Sequence, residues 1–509
     1  MYYSFYKIMQ CFQGQIELKS SKILSLKNQA GIVKILSNGK IIEYKNCWAF
    51  PGFVDHHCHL LALGTRQMQI NLFGLKSLKE CLNVVKSKIR NQNDWIRGWG
   101  WNQELWNNKD FPTKNVLDEI FPNSPVYLSR VDGHAAWVNS AALKIANITK
   151  DTPNLKGGAI LKDEKGEPNG ILIDNAMQLV KHLIPELSYL QKKKAVSIAI
   201  SELVKSGITQ IRNMDLSLEQ FNLLEELENE GSLPIKVNSY LIAQEDEYLQ
   251  YNIIPNKNER KMHHVVGIKL YADGALGSRG AALLEDYSDE QNQKGLLLLS
   301  DEELYTKAIT GLDKGLDIAI HSIGDAACRQ VLQLFKRLFD EKRVGTNQEL
   351  SIEHAQNLMQ EDMHFFSEYP ITASVQPVHC TSDAPMALKR LGARCKNAYR
   401  WKSIISKGAN FCSGSDFPIE SHSVLLGLDA LTRRVPFNQN VAFYPDEIIS
   451  IEEAIKSYTS EQDSNPFEPG KNADFVILNQ NITNIPLENI KETEIVATVC
   501  NGNLVYSSK

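Results

Sequence analysis

The chain has 509 residues, 43% of them hydrophobic and 23% charged, which is ordinary globular usage and excludes a disordered, collagen-like or coiled-coil protein. Lysine and arginine number 55 against 60 aspartates and glutamates, a formal net charge of −5, so no basic field exists for nucleic acid or anionic lipid and a small-molecule partner is expected. Apolar runs fall far short of the ~20 residues of a membrane helix, the N-terminus carries no legible secretory pattern, and nine cysteines without CxxC pairs read as reduced thiols, so a cytoplasmic location without a membrane partner is expected.

In chain order, the N-terminal runs IELKSSKILSL and AGIVKILSNGKIIEY, the latter folded about Ser37-Asn38-Gly39, predict small antiparallel strands. Eight apolar runs follow, separated by helical spacing: AFPGFVD, GITQIRN, IKVNSYLI, VVGIKLYAD, LDIAIHSI, LSIEHA, ITASVQP and ANFCSGSD. Eight β/α units match a (β/α)₈ barrel. A ninth run, SPVYLSR, lies in the long segment after the first strand, which is therefore read as an insertion at about 66–200. The C-terminal segment returns to the style of the start with ADFVILN and with IVATVCNGNLVYSS folded about Asn501-Gly502. Residues 1–52 and 466–509 are thus expected to share one sheet domain around a barrel at 53–465, with the linker in 465–470.

Ionisable residues end several of the barrel runs, on the face where barrel enzymes carry their sites. The first run ends in Asp55-His56-His57-Cys58-His59, and strand alternation points His57 and His59 the same way. Two converging imidazoles suit Zn²⁺ or a similar ion; a pair of core or surface histidines is the competing reading. Lys269, His321, His354 and Asp416 each follow a later apolar run. Singly, each would be a snorkelling lysine, a satisfied core histidine or a helix N-cap. Together they would leave several buried charges unpaired unless a cation joined them.

PGFVDHHCH, Lys269, His321, His354 and Asp416 stand in the order used by the amidohydrolase superfamily, which the chain resembles from about residue 30 to its C-terminus. GWGWNQELW, SRVDGHAAWVNSAAL, GGAILKDEKGEPNGIL, IKLYADGALGSRGAAL and GKNADFVIL narrow the resemblance to the amidohydrolase-3 branch, which includes N-substituted formamide deformylases. The resemblance implies a metal-dependent TIM-like (β/α)₈ barrel of the α/β class, flanked by a small β-sandwich built from both chain termini. It implies one or two divalent ions, zinc first, with iron, manganese or cobalt suited by the same donors. His57 and His59 would hold the first ion and His321 and His354 the second. Asp416 would lie on the first beside the nucleophilic water as proton shuttle, and Lys269 would bridge both as a carbamate.

The implied activity is hydrolysis of a carbon–nitrogen bond outside peptides, a linear amide. The alternatives are another bond on the same barrel (a lactone, cyclic imide or phosphoester) or a non-catalytic binding protein. Around the centre, His134, Asp273, Arg279 and Trp101 are candidates for substrate binding, with Trp99 and Trp106 as further pocket walls. A monomer and a homo-oligomer both stay open.

Overall fold

In the computed structural model of the protein the described residues are 11–37, 39–88, 94–155, 157–245, 261–437, 439–460 and 467–508. The alternating N-terminal runs form β1 (Gly14–Lys19), β2 (Lys22–Asn28), β3 (Ile32–Ser37) and β4 (Lys40–Lys45). They lie in the order β2-β1-β3-β4. Not every pair is antiparallel, as alternation alone had suggested: β1 and β3 run parallel. The cause is that β3 reverses direction after β2 and docks on the free edge of β1, which leaves it running the same way as β1. Asn38, between β3 and β4 in sequence, lies outside the described residues.

The run AFPGFVD was expected as one strand and is two, β5 (Trp48–Pro51) and β6 (Phe53–Cys58). The break falls at Gly52, whose N–H donates to the Asp474 carbonyl at 3.0 Å. A Cβ there would stand 2.5 Å from the Thr209 hydroxyl, so the crossing from one sheet to the other needs glycine.

Two compact units make up the chain, one of Met1–Ala62 with Ala199–Lys509 and one of Leu63–Ile198. The Leu63–Ile198 unit holds a six-stranded sheet in the order β11-β12-β10-β9-β8-β7. Its strands are β7 (Ile70–Asn71), β8 (Ile96–Trp101), β9 (Val126–Arg130), β10 (Ala135–Val138), β11 (Gly158–Lys162) and β12 (Pro168–Asp174). Alternation along β10 feeds a core on each face: Ala135 and Trp137 join Trp101, Trp106 and Leu128, whereas Ala136 and Val138 join Tyr127 and Leu172.

In the larger unit, β6 is followed by β13 (Ile208–Leu216), β14 (Lys236–Ile242), β15 (His263–Tyr271), β16 (Asp317–Ser322), β17 (Leu350–His354), β18 (Thr372–Val375) and β19 (Asn410–Ser413). These eight form one parallel sheet in sequence order. Near-continuous burial along β6, β16 and β17 fits a sheet covered on both faces. Beyond the ends of β6 and β19 the ring is drawn shut by Asp416 N–H donating to the His57 carbonyl at 2.7 Å and His59 N–H to the Phe417 carbonyl at 3.1 Å. The architecture is a TIM-like (β/α)₈ barrel.

The chain then supplies β20 (Phe475–Leu478), β21 (Ile495–Cys500) and β22 (Asn503–Ser507), which join β5 in the order β22-β21-β20-β5. Ile16, Val33 and Tyr44 from the N-terminal sheet share one core with Phe475, Ile477 and Val499, so both termini build a single small sandwich. The expected handover from barrel to sandwich near 465 lies outside the described residues. Among the described residues, no helix is long and apolar enough to cross a membrane.

Candidate metal centre

At the C-terminal end of β6, Asp55 and His57 share one side of the strand and His59, just beyond it, continues their alternation. The Asp55 carboxylate accepts the N–H groups of His57 (3.1 Å) and Ser415 (3.0 Å) and the Ser415 hydroxyl (2.5 Å), which ties the start of the ring to its last loop. Burial pushes the Asp55 carboxyl up to about 6 against those hydrogen bonds. Gly414 permits the approach, because a Cβ there would stand 2.3 Å from the His57 nitrogen.

His57 places Nδ1 2.5 Å from Glu353 Oε2, and its Nε2 lies 3.6 Å from Asp416 Oδ1 and 3.4 Å from Lys269 Nζ. His59 places Nε2 3.1 Å from the same Asp416 oxygen and Nδ1 3.4 Å from Asp215 Oδ2. One candidate ligand group is therefore His57, His59 and Asp416, with ligand atoms all within 4.8 Å of one another, and a second is His354, His379 and Asp416. Asp416 uses Oδ1 toward the first, while its Oδ2 lies 3.7 Å from His379 Nε2. His321 sits beside the second group, its ring centroid 4.4 Å from that of His354, but falls outside both.

The donor set fits a divalent ion. His321 Nε2, His354 Nδ1 and His379 Nε2 are buried without a hydrogen-bond partner, which native interiors rarely tolerate. Burial, with the Lys269 ammonium adding to it, lowers His57 to about 4 and His321 to about 3, so both imidazoles are neutral near pH 7 as ligands must be. Burial works against charge on His59 as well, yet hydrogen bonds to Asp215 and Asp416 outweigh it and hold that ring up at about 9, so an ion bound there would have to displace its proton. Burial likewise opposes ionised Asp416, yet the hydrogen bond from His59 outweighs it and keeps the carboxyl well below the usual carboxylate range. Lys269 is wholly buried, which brings its amine down to about 8. Two of the candidate ligands, His354 (φ 71°) and Asp416 (φ 56°), hold left-handed backbone, a conformation that costs a non-glycine residue ~1–3 kcal/mol and clusters at functional sites.

The remaining sequence candidates have other surroundings. No helix starts at Asp416; the next begins at Val424 with Ser423 as its cap, which corrects the N-cap reading. Asp273 is buried and its carboxylate is taken up by the N–H groups of Ala282 (2.9 Å), Ile323 (3.0 Å) and Gly324 (2.7 Å), so it organises loops instead of facing open space. Arg279 pairs with Asp289 and Glu290. Within the Leu63–Ile198 unit, Trp101 is wholly buried, donates its indole N–H to the Leu128 carbonyl at 2.8 Å and packs edge-on to Trp137, which makes it core and not a pocket wall. Trp106 packs with it, and Trp99 lies under the Arg66 guanidinium. His134 is exposed and bonds Asp174 at 2.7 Å.

Sequence reading passed over Glu353, His379, Asp215 and the role of Asp55. Glu353 directly precedes a candidate ligand, and Asp215 lies two residues past GITQIRN at the end of a barrel strand, so position alone could have raised both. His379 had a weaker signal, since it lies on the helix Pro377–Leu391 that follows β18.

Comparison with known proteins agrees with this architecture. The chain is 35% identical over 475 residues to YtcJ of Bacillus subtilis, covering 90% of this chain and 88% of that one. It is 22% identical over 497 residues to the N-substituted formamide deformylase of Arthrobacter pascens, covering 92% and 90%. Among solved structures, an uncharacterized metal-dependent hydrolase from Pyrococcus furiosus superposes with a TM-score of 0.72 at 27% identity, covering 93% of this chain and 99% of that one. The sequence pattern of the amidohydrolase family, in its third branch, matches residues 40–506, and on that match over nearly the whole chain the protein belongs to the amidohydrolase family.

Proposed function

We propose that the protein is a metal-dependent hydrolase of carbon–nitrogen bonds outside peptides, acting on a small linear amide. The observation that carries this reading is one carboxylate, Asp416, shared by two histidine groups at the C-terminal end of the barrel strands, all of them buried except the half-buried His59. The likeness to a formamide deformylase along nearly the whole chain supports the choice of bond. In this reading His57, His59 and Asp416 would hold one ion and His321 and His354 a second, with His379 beside them, and Lys269 would serve both as a carbamate. Zinc suits these donors, and iron, manganese and cobalt suit them equally. Divalent ions held in such a site supply an acidified water and polarise a carbonyl.

This chain's own residues then handle the protons. Asp416, ionised and within reach of both groups, takes the proton of the attacking water and returns it to the leaving nitrogen. His59 Nε2, at 3.1 Å, and His57 Nε2, at 3.6 Å, face the same Asp416 oxygen, Oδ1. Burial keeps a fraction of the Lys269 amine neutral near pH 7, the form that attacks CO₂ to give a carbamate.

The test is Asp416→Asn, which keeps shape and one oxygen while removing the base. On any formamide, acetamide or N-acyl amino acid that the parent hydrolyses, kcat should fall by ~10²–10⁴-fold. Elemental analysis should show that metal survives better than rate. Retention of more than about a tenth of parental kcat with metal bound would end the proton-shuttle role.

A further inference from the structure

We propose that Glu353 is a positioning residue that fixes the tautomer and ring orientation of His57 from across the barrel interior. The inference rests on the reading of His57 as a metal ligand. Glu353 lies on β17 and His57 on β6, strands that are not neighbours in the sheet, so the 2.5 Å contact between them spans the inside of the ring. Both groups are fully enclosed, with side-chain exposures of 0% and 1%.

The other carboxylate oxygen is also committed. Oε1 accepts the hydroxyl of Ser351, two residues earlier on the same face of β17, at 2.7 Å. Glu353 therefore has both oxygens occupied and no route to solvent. A carboxylate placed there is costly unless its hydrogen bonds are obligatory. Its one imidazole partner is His57 Nδ1, and a proton held on Nδ1 leaves the lone pair on Nε2. That nitrogen faces the centre, 3.6 Å from Asp416 Oδ1 and 3.4 Å from Lys269 Nζ. Orientation of a ligating imidazole by a carboxylate on its other nitrogen is a general device of metal sites, and its loss typically weakens metal binding by ~10–100-fold.

His59 provides an internal control. Its Nδ1 partner, Asp215, stands 3.4 Å away with a side chain 21% exposed. The two imidazoles of one HxH pair are thus held unequally, and removal of Glu353 should cost more metal affinity than removal of Asp215.

The experiment uses the full chain, stripped of metal and reloaded with zinc or cobalt(II). Affinity is read by chelator competition and coordination by the cobalt absorption bands, with thermal melting of the metal-free protein as the folding check. Glu353→Gln should weaken zinc binding by ~10–100-fold and shift the cobalt bands. Asp215→Asn should lose less, and Ser351→Ala, which loosens Glu353 without touching His57, should fall the same way by a few-fold. Parental affinity and spectrum in Glu353→Gln overturn the proposal; if that variant does not fold, the same result in Ser351→Ala does so. His57→Ala separates the two levels. Loss of metal in His57→Ala with none in Glu353→Gln removes the positioning role alone, whereas full retention in His57→Ala removes the ligand reading beneath it.

Discussion

Each unit of the chain contains a histidine whose Nδ1 meets a carboxylate at close range. In the barrel unit it is His57 against Glu353 at 2.5 Å, and in the Leu63–Ile198 unit it is His134 against Asp174 at 2.7 Å. The distances nearly match and the surroundings do not. The first pair is 1% and 0% exposed and the second 65% and 46%. Water screens and competes for the second, so it is worth ~0–1 kcal/mol, whereas leaving one member of a buried pair alone costs ~3–5 kcal/mol. Geometry names the contact; burial decides whether the protein depends on it.

That contrast is broken most severely by opening the barrel unit. Removal of 467–509 takes β20, β21 and β22 from a sheet in which β20 is the strand β5 pairs along, leaving β5 only the single bridge from Ala49 to Phe12 among the described residues. It strips Phe475, Ile477 and Val499 from a core shared with Ile16, Val33 and Tyr44. At ~1.5–3 kcal/mol for each large apolar side chain, a few such losses match the ~5–15 kcal/mol that holds a domain folded. The truncated chain should be insoluble or lack a cooperative melt. A soluble truncation with a sharp calorimetric transition would show that the termini are not one sandwich.

The second way is to damage the other unit where it is densest. Trp101 is wholly buried among Trp106, Phe111 and Trp137. Trp101→Ala should cost ~3–5 kcal/mol of stability through the lost transfer energy and the cavity left behind. Denaturant titration measures the loss. No residue of either candidate ligand group lies in this unit, so bound metal per folded chain should stay at the parental level. A fall in metal content that exceeds the fall in folded protein would mean the units are not separable in function.

The eight barrel strands were legible because buried parallel strands read as short apolar runs, and the ligands were legible because polar groups at the ends of such runs have no ordinary reason to be there. His57, His59, His354 and Asp416 come together for that reason. Spacing does not reveal how a side chain is spent once placed. Trp101 and Asp273 have the composition of site residues and the surroundings of scaffold, since one fills a core and the other collects three backbone N–H groups. Glu353 is the converse case. It sits inside a strand, where a carboxylate looks like an error of pattern, and only the distance to a residue 296 positions away explains it. The split of AFPGFVD at Gly52 was hidden too, because both halves are apolar and only their partners differ.

The smallest expected effect is also the most discriminating. His134→Ala removes an imidazole that is 65% exposed and whose one carboxylate partner, Asp174, is itself 46% exposed. Nothing buried is left unpaired, because water reaches both groups, so the stability change should be about 0–1 kcal/mol, at the edge of a denaturant titration. The Asp174 carboxylate keeps solvent as its partner, and β10 and β12 keep their ladder through Ala135 and Ile173. The sequence nonetheless placed His134 among candidates for substrate binding, and that role predicts something else. A residue that binds substrate without joining the chemistry would raise KM and leave kcat near the parental value. Steady-state kinetics on the best amide found in the substrate screen distinguishes these outcomes. Unchanged kcat and KM leave His134 as surface, and a rise in KM alone makes it a binding residue. A fall in kcat beyond about tenfold would mean that a solvent-exposed imidazole takes part in proton transfer, which general acid or base catalysis at ~10²–10⁴-fold would require. In that last case the lesson drawn from burial would fail at the one pair where it is easiest to test.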